Sequence, residues 1–260
     1  MIKEIVIEWN FEPKEYFEDK ITIEGEGFEL VIDSGLAEVR LGPESFENVD
    51  RLISIINEDL ESRFMAVQVM THERYKLSKP SRYDLRIDGG KNHYLQVDDS
   101  LVCVASMGKV DLIVRDPDGN IVSNTKQDRV NKKKKLADLA ARFRGNDPTL
   151  DQMLRSYSAS VSDPKNELVH LYEIRDAAAK RFKNDSKAKA TLGITKDEWN
   201  MLGRLANNEP FTQGRHRGQN PGVLRDANIN ELEQARKIAA IILESYMNYL
   251  EAAIERDCTP

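Results

Sequence analysis

The stretch from Asn207 to Asn220 contains the residues best suited to chemistry on a phosphate. It reads Asn-Asn-Glu-Pro-Phe-Thr-Gln-Gly-Arg-His-Arg-Gly-Gln-Asn, with Gly214 and Gly218 on either side of Arg215-His216-Arg217. Two permanent guanidinium cations can hold a phosphate, and a histidine that titrates near neutral pH can move a proton beside it. The stretch therefore predicts an anion or nucleic-acid site. The alternative is a solvated connector in which His216 caps a helix end.

A second candidate residue, Arg175, falls on the apolar face of a predicted helix over 164–183. At about 100° per residue, Arg175 lies at the centre of an arc formed by Leu168, Leu171, Tyr172, Ala178, Ala179 and Phe182. A buried arginine is costly unless it pairs with a carboxylate or binds an anion. We therefore expect Arg175 either to form an ion pair with a neighbouring helix or to point into a cleft. His170 falls on the opposite, wetter face and is interpreted as a surface histidine.

The predicted loop over 207–227 is longer than a helix connection needs, which is typical of functional or disordered segments. If this loop folds back over the helices, Arg175, His216 and either Arg215 or Arg217 converge. A histidine that takes or gives a proton, beside guanidinium groups that neutralise charge on a phosphate, can support phosphodiester chemistry without a metal.

The composition is that of a soluble globular protein, with 260 residues of which 40% are apolar and 32% charged. No run approaches the roughly 20 apolar residues that span a bilayer, and the N-terminus lacks the apolar core of a secretory signal. The two cysteines, Cys103 and Cys258, have no metal-ligand spacing. We therefore expect a cytoplasmic protein with no metal, no cofactor and no membrane partner.

Charge is distributed unevenly around the net value of −6. Residues 1–50 contain 14 acidic and 4 basic residues, whereas residues 126–217 contain 12 acidic and 20 basic residues. One interpretation is that the basic part binds phosphate backbones while the acidic part masks it. The other is that each excess covers a solvated face and that the two halves attract one another.

The N-terminal half is predicted to be β-rich. Apolar runs separated by glycines indicate antiparallel strands over 2–8, 18–25, 27–32 and 36–41. The apolar period then changes to three and four, which predicts a helix from Pro43 to about Arg63. Further strands are predicted over 66–69, 83–87, 94–97, 101–105 and 110–114. Asp116-Pro117-Asp118-Gly119-Asn120 then predicts a hairpin turn, and we interpret its carboxylates as turn residues and not as calcium ligands.

From Thr125 onwards the pattern is helical. Lysines 132–135 lead into an amphipathic helix that ends near Phe143 and place positive charge in its first turn, against the helix dipole. Either a polyanion compensates this charge or the segment is a solvated linker.

Sequence signals for helix ends follow. Asp163-Pro164 marks the start of a helix that reaches about Lys183, Thr195 with Glu198 forms a capping box for a helix through Ala206, and Asn228 with Glu231 opens the last helix. With a helix over 150–160, these segments predict a bundle of four or five helices. We therefore predict an α+β chain. Its parts are a β-rich domain with one or two helices over 1–124, a basic helical linker over 125–147, and an all-α bundle over 148–260, and the break between the two domains is predicted at 145–148.

Three segments of this helical part resemble the HEPN superfamily of small helical bundles. They are Leu171-Tyr172-Glu173-Ile174-Arg175-Asp176, Leu205-Ala206-Asn207-Asn208 and Gly214-Arg215-His216-Arg217-Gly218, which precede an amphipathic final helix. The resemblance covers roughly the last hundred residues and points in particular to the ApeA-like branch attached to β-rich domains in bacterial abortive-infection proteins. It implies a metal-independent endoribonuclease that acts as a dimer.

The hallmark of that family is an arginine with a histidine five positions later. Here Phe211 lies five positions before His216, and Lys180 lies five positions after Arg175. The arginine that acts with His216 would therefore be Arg175, Arg204 or Arg215.

These observations together predict a homodimeric defence protein whose helical domain either binds RNA or also cleaves it by a metal-independent mechanism. The predicted catalytic residues are His216, Arg175 and Arg215. The residues predicted to bind the strand are Arg217, Arg204, Asn207, Asn208, Lys132, Lys133 and Lys134.

Two alternatives stay open. In the first, the bundle is a non-catalytic dimerisation module and the β domain binds a protein or small molecule, which the missing arginine-to-histidine spacing and the negative net charge favour. In the second, the protein is a nucleotide sensor. Because the sequence has no phosphate-loop or dinucleotide pattern, a nucleotide would then need the basic loop.

Overall fold

A computed structural model describes residues 1–25, 27–94, 111–116, 118, 120–219 and 222–257. The chain divides into two compact units. The first comprises Met1–Glu61 and Tyr75–Lys135, and the second comprises Ser62–Arg74 and Leu136–Pro260. An N-terminal antiparallel sheet followed by a helical region confirms the predicted α+β class. The break that was predicted at 145–148 lies inside the second unit, which contains the chain from Leu136 onwards.

In the first unit, strands β1 to β7 form one antiparallel sheet within the described residues, in the order β2-β3-β4-β1-β6-β7, with β5 paired to β1. Strand β1 lies inside this sheet, between β4 and β6, and its residues Ile5, Ile7 and Trp9 are fully buried. The Trp9 indole donates a hydrogen bond to Asn57 Oδ1 at 3.2 Å. The strands are β1 Ile2–Glu12, β2 Ile21–Gly25, β3 Phe28–Asp33, β4 Leu36–Leu41, β5 Lys76–Leu77, β6 Ser81–Arg86 and β7 Lys91–Tyr94.

Strand β2 begins three residues later than predicted, because Glu18 has a left-handed φ of 66° that a strand does not allow. The predicted strand over 66–69 is wrong. Helix α1, Val49–Thr71, continues through it, following a 3-10 turn at Pro43–Asn48. Leu60, Phe64 and Val67 are all fully buried at helical spacing, so packing overrides the β propensity of the valines.

The predicted hairpin is present as β8, Ile113–Arg115, paired to β9, Ile121–Asn124. The Asp116 carboxylate accepts hydrogen bonds from the backbone amides of Asp118 and Asn120 at 3.0 and 2.8 Å, as a turn aspartate does. Some predictions fall on residues outside the described ranges: the strand over 101–105, most of the strand over 94–97, part of the turn, and both cysteines.

Helix α2, Thr125–Phe143, begins before the lysine run, because the Asn124 side chain accepts a hydrogen bond from the Gln127 amide. The prediction that the lysines form the first turn is therefore wrong. Lys133 is only 1% exposed, and its Nζ donates to Glu18 Oε1 at 2.5 Å and to the Tyr16 carbonyl at 2.8 Å. Lys134 pairs with Asp19 at 3.0 Å. These lysines compensate acidic residues of the first unit.

The second unit is helical. A short 3-10 turn at Pro164–Asn166 precedes α4, and a π-helical turn at Arg204–Asn208 (the π turn) follows α6. Its remaining helices after α2 are α3 Pro148–Ser162, α4 Glu167–Arg181, α5 Asp185–Leu192, α6 Lys196–Gly203 and α7 Ile229–Asp257. No helix in the described part of the chain is long and apolar enough to cross a membrane.

The capping box predicted at Thr195 is confirmed by reciprocal hydrogen bonds with Glu198. Asn228, which was predicted to open the last helix with Glu231, forms the same reciprocal hydrogen bonds with it. The prediction that Asp163 caps a long helix is wrong. Its carboxylate accepts a hydrogen bond from the Asn166 side chain and none from a backbone amide at the helix start, and α4 begins only after the 3-10 turn. Helix α5, which the sequence pattern did not reveal, is capped by Asn184.

A buried charge cluster anchors the first residue of α4. Glu167 is 2% exposed and accepts two hydrogen bonds from Arg236, at 2.5 and 2.9 Å. His72 Nε2 lies 3.5 Å from the same carboxylate, while His72 Nδ1 is buried with no hydrogen-bond partner among the described residues. Burial and the Arg236 cation lower the pKa of His72 to about 4, and outweigh the attraction of a carboxylate that Arg236 already neutralises.

Substitution of His72 with Asn should make the free energy of unfolding less dependent on pH. The unfolded chain takes up the proton near the ordinary pKa of 6.5 and the folded chain only near 4, so stability is present above 6.5 and falls as the pH decreases towards 4. Between about pH 7 and 4.5 we expect the wild type to lose about 2 kcal/mol more than His72→Asn in urea unfolding. Asparagine tolerates the positive φ at this position. Equal losses in the two proteins would contradict a buried, neutral His72.

Candidate functional site

The segment from Glu209 to Asn228 is held to the rest of the second unit by backbone hydrogen bonds. The Arg215 amide donates to the Ala206 carbonyl at 2.8 Å, at the π turn. The Arg225 amide donates to the Pro210 carbonyl at 3.0 Å, and the side chain of Phe211 is 1% exposed. In the described parts of this segment, 209–219 and 222–228, these contacts therefore anchor the backbone beside the basic residues Arg215 and Arg217.

Gly214 permits this close approach. A Cβ at this position would lie 3.1 Å from the Ala206 carbonyl oxygen and 3.3 Å from that of Phe211, closer than most side chains tolerate. Because both neighbours are backbone atoms, neither can rotate away. A side chain at this position would therefore require the two chain segments to move apart by a few tenths of an ångström.

Arg175 forms the ion pair that was one of its two expected roles. Its side chain is 13% exposed, and Nη2 donates to Asp185 Oδ2 at 2.8 Å. Its guanidinium carbon lies 5.0 Å from the ring centroids of both Tyr172 and Trp199. The Trp199 indole also donates to Asp185, and this bond and Arg175 lower the pKa of the carboxyl. The side chain is fixed by aromatic and ionic contacts together.

Arg215 reaches the same aromatic ring. Its guanidinium carbon lies 4.4 Å from the Tyr172 centroid, and Nη1 donates to Asp176 Oδ2 at 3.2 Å. Partial burial raises the pKa of Asp176, although the Arg215 and Arg175 cations act in the opposite direction. Two of the three predicted catalytic residues, Arg175 and Arg215, therefore meet at Tyr172.

Arg217 makes contacts with a different set of residues. Its Nε donates to the Gly214 carbonyl at 2.8 Å and its Nη2 donates to Asn166 Oδ1. Asn166 in turn donates to Asp163, whose carboxylate also lies 3.3 Å from His170 Nε2. These bonds and the nearby cation of Arg217 lower the pKa of Asp163.

His170 is therefore part of a polar cluster and not an isolated surface histidine. Besides the contact with Asp163, its Nδ1 lies 3.8 Å from Glu173, which accepts a hydrogen bond from the buried Ser156 hydroxyl. The spacing of His170 and Glu173, three residues apart on one helix, was the available sequence signal. Each ring nitrogen of His170 faces a carboxylate.

His216 is exposed, and its Nδ1 lies 3.4 Å from the Gln219 side-chain amide nitrogen. Because an amide nitrogen only donates, this contact favours a proton on Nε2 in the neutral ring. Among the described residues no hydrogen bond or ion pair joins His216 to Arg175, Arg215 or Arg217. The predicted convergence is thus present for two arginines and absent for the histidine.

The other residues predicted to bind a strand have separate positions. Arg204 is exposed and lies 3.7 Å from Glu209, and Asn208 is exposed at the end of the π turn. The side-chain oxygen of Asn207 is buried without a hydrogen-bond partner in the described residues. Lys132, Lys133 and Lys134 belong to the first unit, where the burial of Lys133 removes it from any surface.

The described residues contain no group of three or more histidines, cysteines and carboxylates that could hold a metal ion. No family model matches the chain, and no curated protein and no solved structure matches it.

Replacement of Arg175 by alanine should destabilise the protein by about 2 kcal/mol, because it removes two cation–π contacts and an ion pair with a half-exposed carboxylate. Arg215→Ala, the matched control on the same ring, should cost less than about 1 kcal/mol, since Arg215 is 35% exposed and contacts one ring. Urea unfolding followed by circular dichroism measures both. A larger loss for Arg215→Ala would contradict this ranking.

Proposed function

We propose that the second unit binds RNA through the face that carries Arg215, His216 and Arg217. The observation that supports this most is the loop backbone, which the Arg215 amide anchors at the Ala206 carbonyl and which carries Arg215, the exposed His216 and Arg217 on consecutive residues. A side chain on a preorganised backbone loses less conformational freedom on binding than one on a mobile loop. The three segments that resemble the HEPN superfamily also support a homodimer in a bacterial defence setting.

The cations of this face differ in their availability to a phosphate. Arg175 is the least available, because it is 13% exposed and held by two rings and a carboxylate. Arg215 is 35% exposed and its partner Asp176 is half-exposed, and a surface pair of this kind contributes about 0 to 1 kcal/mol, so a phosphate can replace the carboxylate. Arg217 has no bond to a carboxylate among the described residues. We therefore propose that Arg217 and Arg215 make the phosphate contacts.

Binding of a single-stranded RNA should weaken with salt. For two phosphate contacts the logarithm of the association constant should fall with the logarithm of salt concentration with a slope of about −1.4, and Arg217→Ala should reduce the slope by about 0.7. Arg256→Ala, which removes an exposed arginine whose hydrogen bond within the described part of the chain goes to the Ala252 carbonyl of its own helix, is the control with the same charge change. Fluorescence anisotropy with a labelled oligonucleotide measures both. Salt-insensitive binding, or equal effects of the two substitutions, would rule out the proposed contacts.

A second candidate function is metal-independent cleavage of the bound strand, with His216 as general acid. It is favoured by the exposure of His216, whose ring in the imidazolium form would give a proton to the leaving oxygen of the strand and become neutral. A neighbouring guanidinium would stabilise the charge that develops on the phosphate. His170 is the less suitable histidine, because both of its nitrogens already face carboxylates.

Incubation with mixed RNA in the presence of a chelator tests this role. The wild type and His170→Ala should yield fragments with cyclic phosphate ends, and His216→Ala should yield at least about a hundredfold less, the lower part of the usual range for general acid–base catalysis. Thermal melting confirms that both variants are folded. Cleavage that persists in His216→Ala would remove His216 from the mechanism. Absence of cleavage in the wild type would leave binding without chemistry.

A non-catalytic module that binds a protein partner is the alternative for the first unit. It is favoured by the β8–β9 hairpin, which exposes five apolar side chains: Leu112, Ile113, Val114, Ile121 and Val122. Exposed apolar patches are typical of protein interaction surfaces. In the salt series above, binding to a protein partner through this surface would change little with ionic strength.

A further inference from the structure

A cavity of about 470 Å³ lies in the second unit beside the 3-10 turn that precedes α4. Sites for small ligands and cofactors commonly measure about 300 to 1,000 Å³. Its size therefore suits a small organic ligand. The lining residues are Pro164, Lys165, Thr212, Gln213, Arg217 and Asp226.

The cavity contains charges of both signs that do not neutralise one another. Arg217 is held by the Gly214 carbonyl and Asn166, and Lys165 is exposed without an ion pair among the described residues. Asp226 has no lysine or arginine within ion-pair distance in the described part of the chain. A ligand that satisfies all three groups carries an anion at one end and hydrogen-bond donors at the other.

The carboxylate of Asp226 is oriented for a ligand that donates. Its Oδ1 accepts from the Thr212 hydroxyl and lies 3.5 Å from Gln213 Nε2. The Gln213 amide is itself fixed, because its Oε1 accepts from the Ala227 backbone amide at 3.1 Å. Asp226 Oδ2 has no donor among the described residues. Oδ1 is therefore oriented by the Thr212 hydroxyl and can accept one further donor, and Oδ2 is left for the ligand.

We propose that this cavity binds a guanine nucleotide, with the phosphate at Lys165 and Arg217 and the base edge at Asp226. Guanine presents N1–H and N2–H side by side, and this pair of donors complements a carboxylate. The amino groups of adenine and cytosine and the imino group of uracil lie beside acceptor atoms, which a carboxylate repels. A bare phosphate would also be repelled by Asp226, so the charges favour the nucleotide over inorganic phosphate.

The nucleotide can be free or can be one residue of an RNA strand, whose bases are commonly read on their Watson–Crick edges. The second case rests on the proposed RNA-binding function, because Arg217 belongs both to the cavity and to the proposed RNA-binding face. The first case is independent of it.

The first experiment titrates the full chain with GMP, AMP, CMP, UMP and guanosine by calorimetry. We expect GMP to bind at least about tenfold more tightly than the other three nucleotides, as one correctly paired base edge provides. Asp226→Asn should abolish this preference, because its amide offers one donor and one acceptor in place of a carboxylate. Glu233→Gln, the same change of charge at an exposed position of α7 outside the cavity, should retain the preference. No preference for GMP, or a preference that survives Asp226→Asn, would overturn the proposal.

Lys165→Ala tests the end of the cavity that would bind the phosphate. If Asp226→Asn has a lower melting temperature than the wild type, Lys165→Ala is the variant on which the test depends. Lys165→Ala should weaken the binding of GMP about fivefold and leave the affinity for guanosine unchanged. Guanosine has no phosphate, and Lys165 would contact only the phosphate. Equal effects on the two ligands would overturn the assignment of the phosphate end.

A second arm compares an oligouridine strand with the same strand that contains one central guanosine. Tighter binding of the guanosine strand supports the cavity as part of the RNA site. Binding of both strands with equal affinity overturns the guanine proposal as it applies to RNA, and leaves the RNA-binding function in place. If neither strand binds but GMP is preferred, the cavity is a free-nucleotide site and the proposed RNA function fails.

Discussion

The hydrogen bond from the Arg215 amide to the Ala206 carbonyl determines where the basic residues of the second unit lie. It joins the Glu209–Asn228 loop to the π turn, and it depends on Gly214 because a Cβ there would meet two backbone oxygens. Once this bond is made, Arg215 reaches Tyr172 on α4, whereas Arg217 reaches Asn166 just before α4. One backbone contact thus assigns two neighbouring cations to two different environments. Single π turns of this kind occur frequently at functional sites.

The charges around α4 are nearly balanced, so an anionic ligand has to compete with carboxylates. Arg175, Arg215 and Arg236 pair with Asp185, Asp176 and Glu167. The cost of this competition depends on burial. Separating Arg236 from the buried Glu167 would leave an uncompensated charge in the interior, which costs several kcal/mol, whereas the exposed Asp176 remains hydrated without its partner. Burial therefore divides the arginines into those that hold α4 in place and those that can exchange their partner.

Local signals in the sequence predict much of the helical part. Both capping boxes are formed by residues three apart, so their geometry depends on few other contacts. The sequence predicted that Arg175 either forms an ion pair or points into a cleft, but it did not identify the partner. That partner, Asp185, begins a helix of eight residues that has too few apolar positions to be recognised in the sequence. Lys133 pairs with a glutamate 115 residues earlier, and no local pattern encodes such a contact. The contact of Thr212 with Asp226 likewise depends on the closure of the loop.

The excess of basic residues over 126–217 is divided between the two units, and this changes how it is interpreted. Residues 126–217 have an excess of eight positive charges, but residues 126–135 contribute five of these and belong to the first unit. There Arg129 and Lys133 bind Glu18, and Lys134 binds Asp19, so much of this excess neutralises acidic residues of the same unit. The second unit retains an excess of only three over 136–217. A surface with so small an excess attracts a polyanion weakly at long range, and recognition must then depend on individual contacts at short range. The phosphate contacts proposed for Arg215 and Arg217 and the base contact proposed for Asp226 are contacts of that kind.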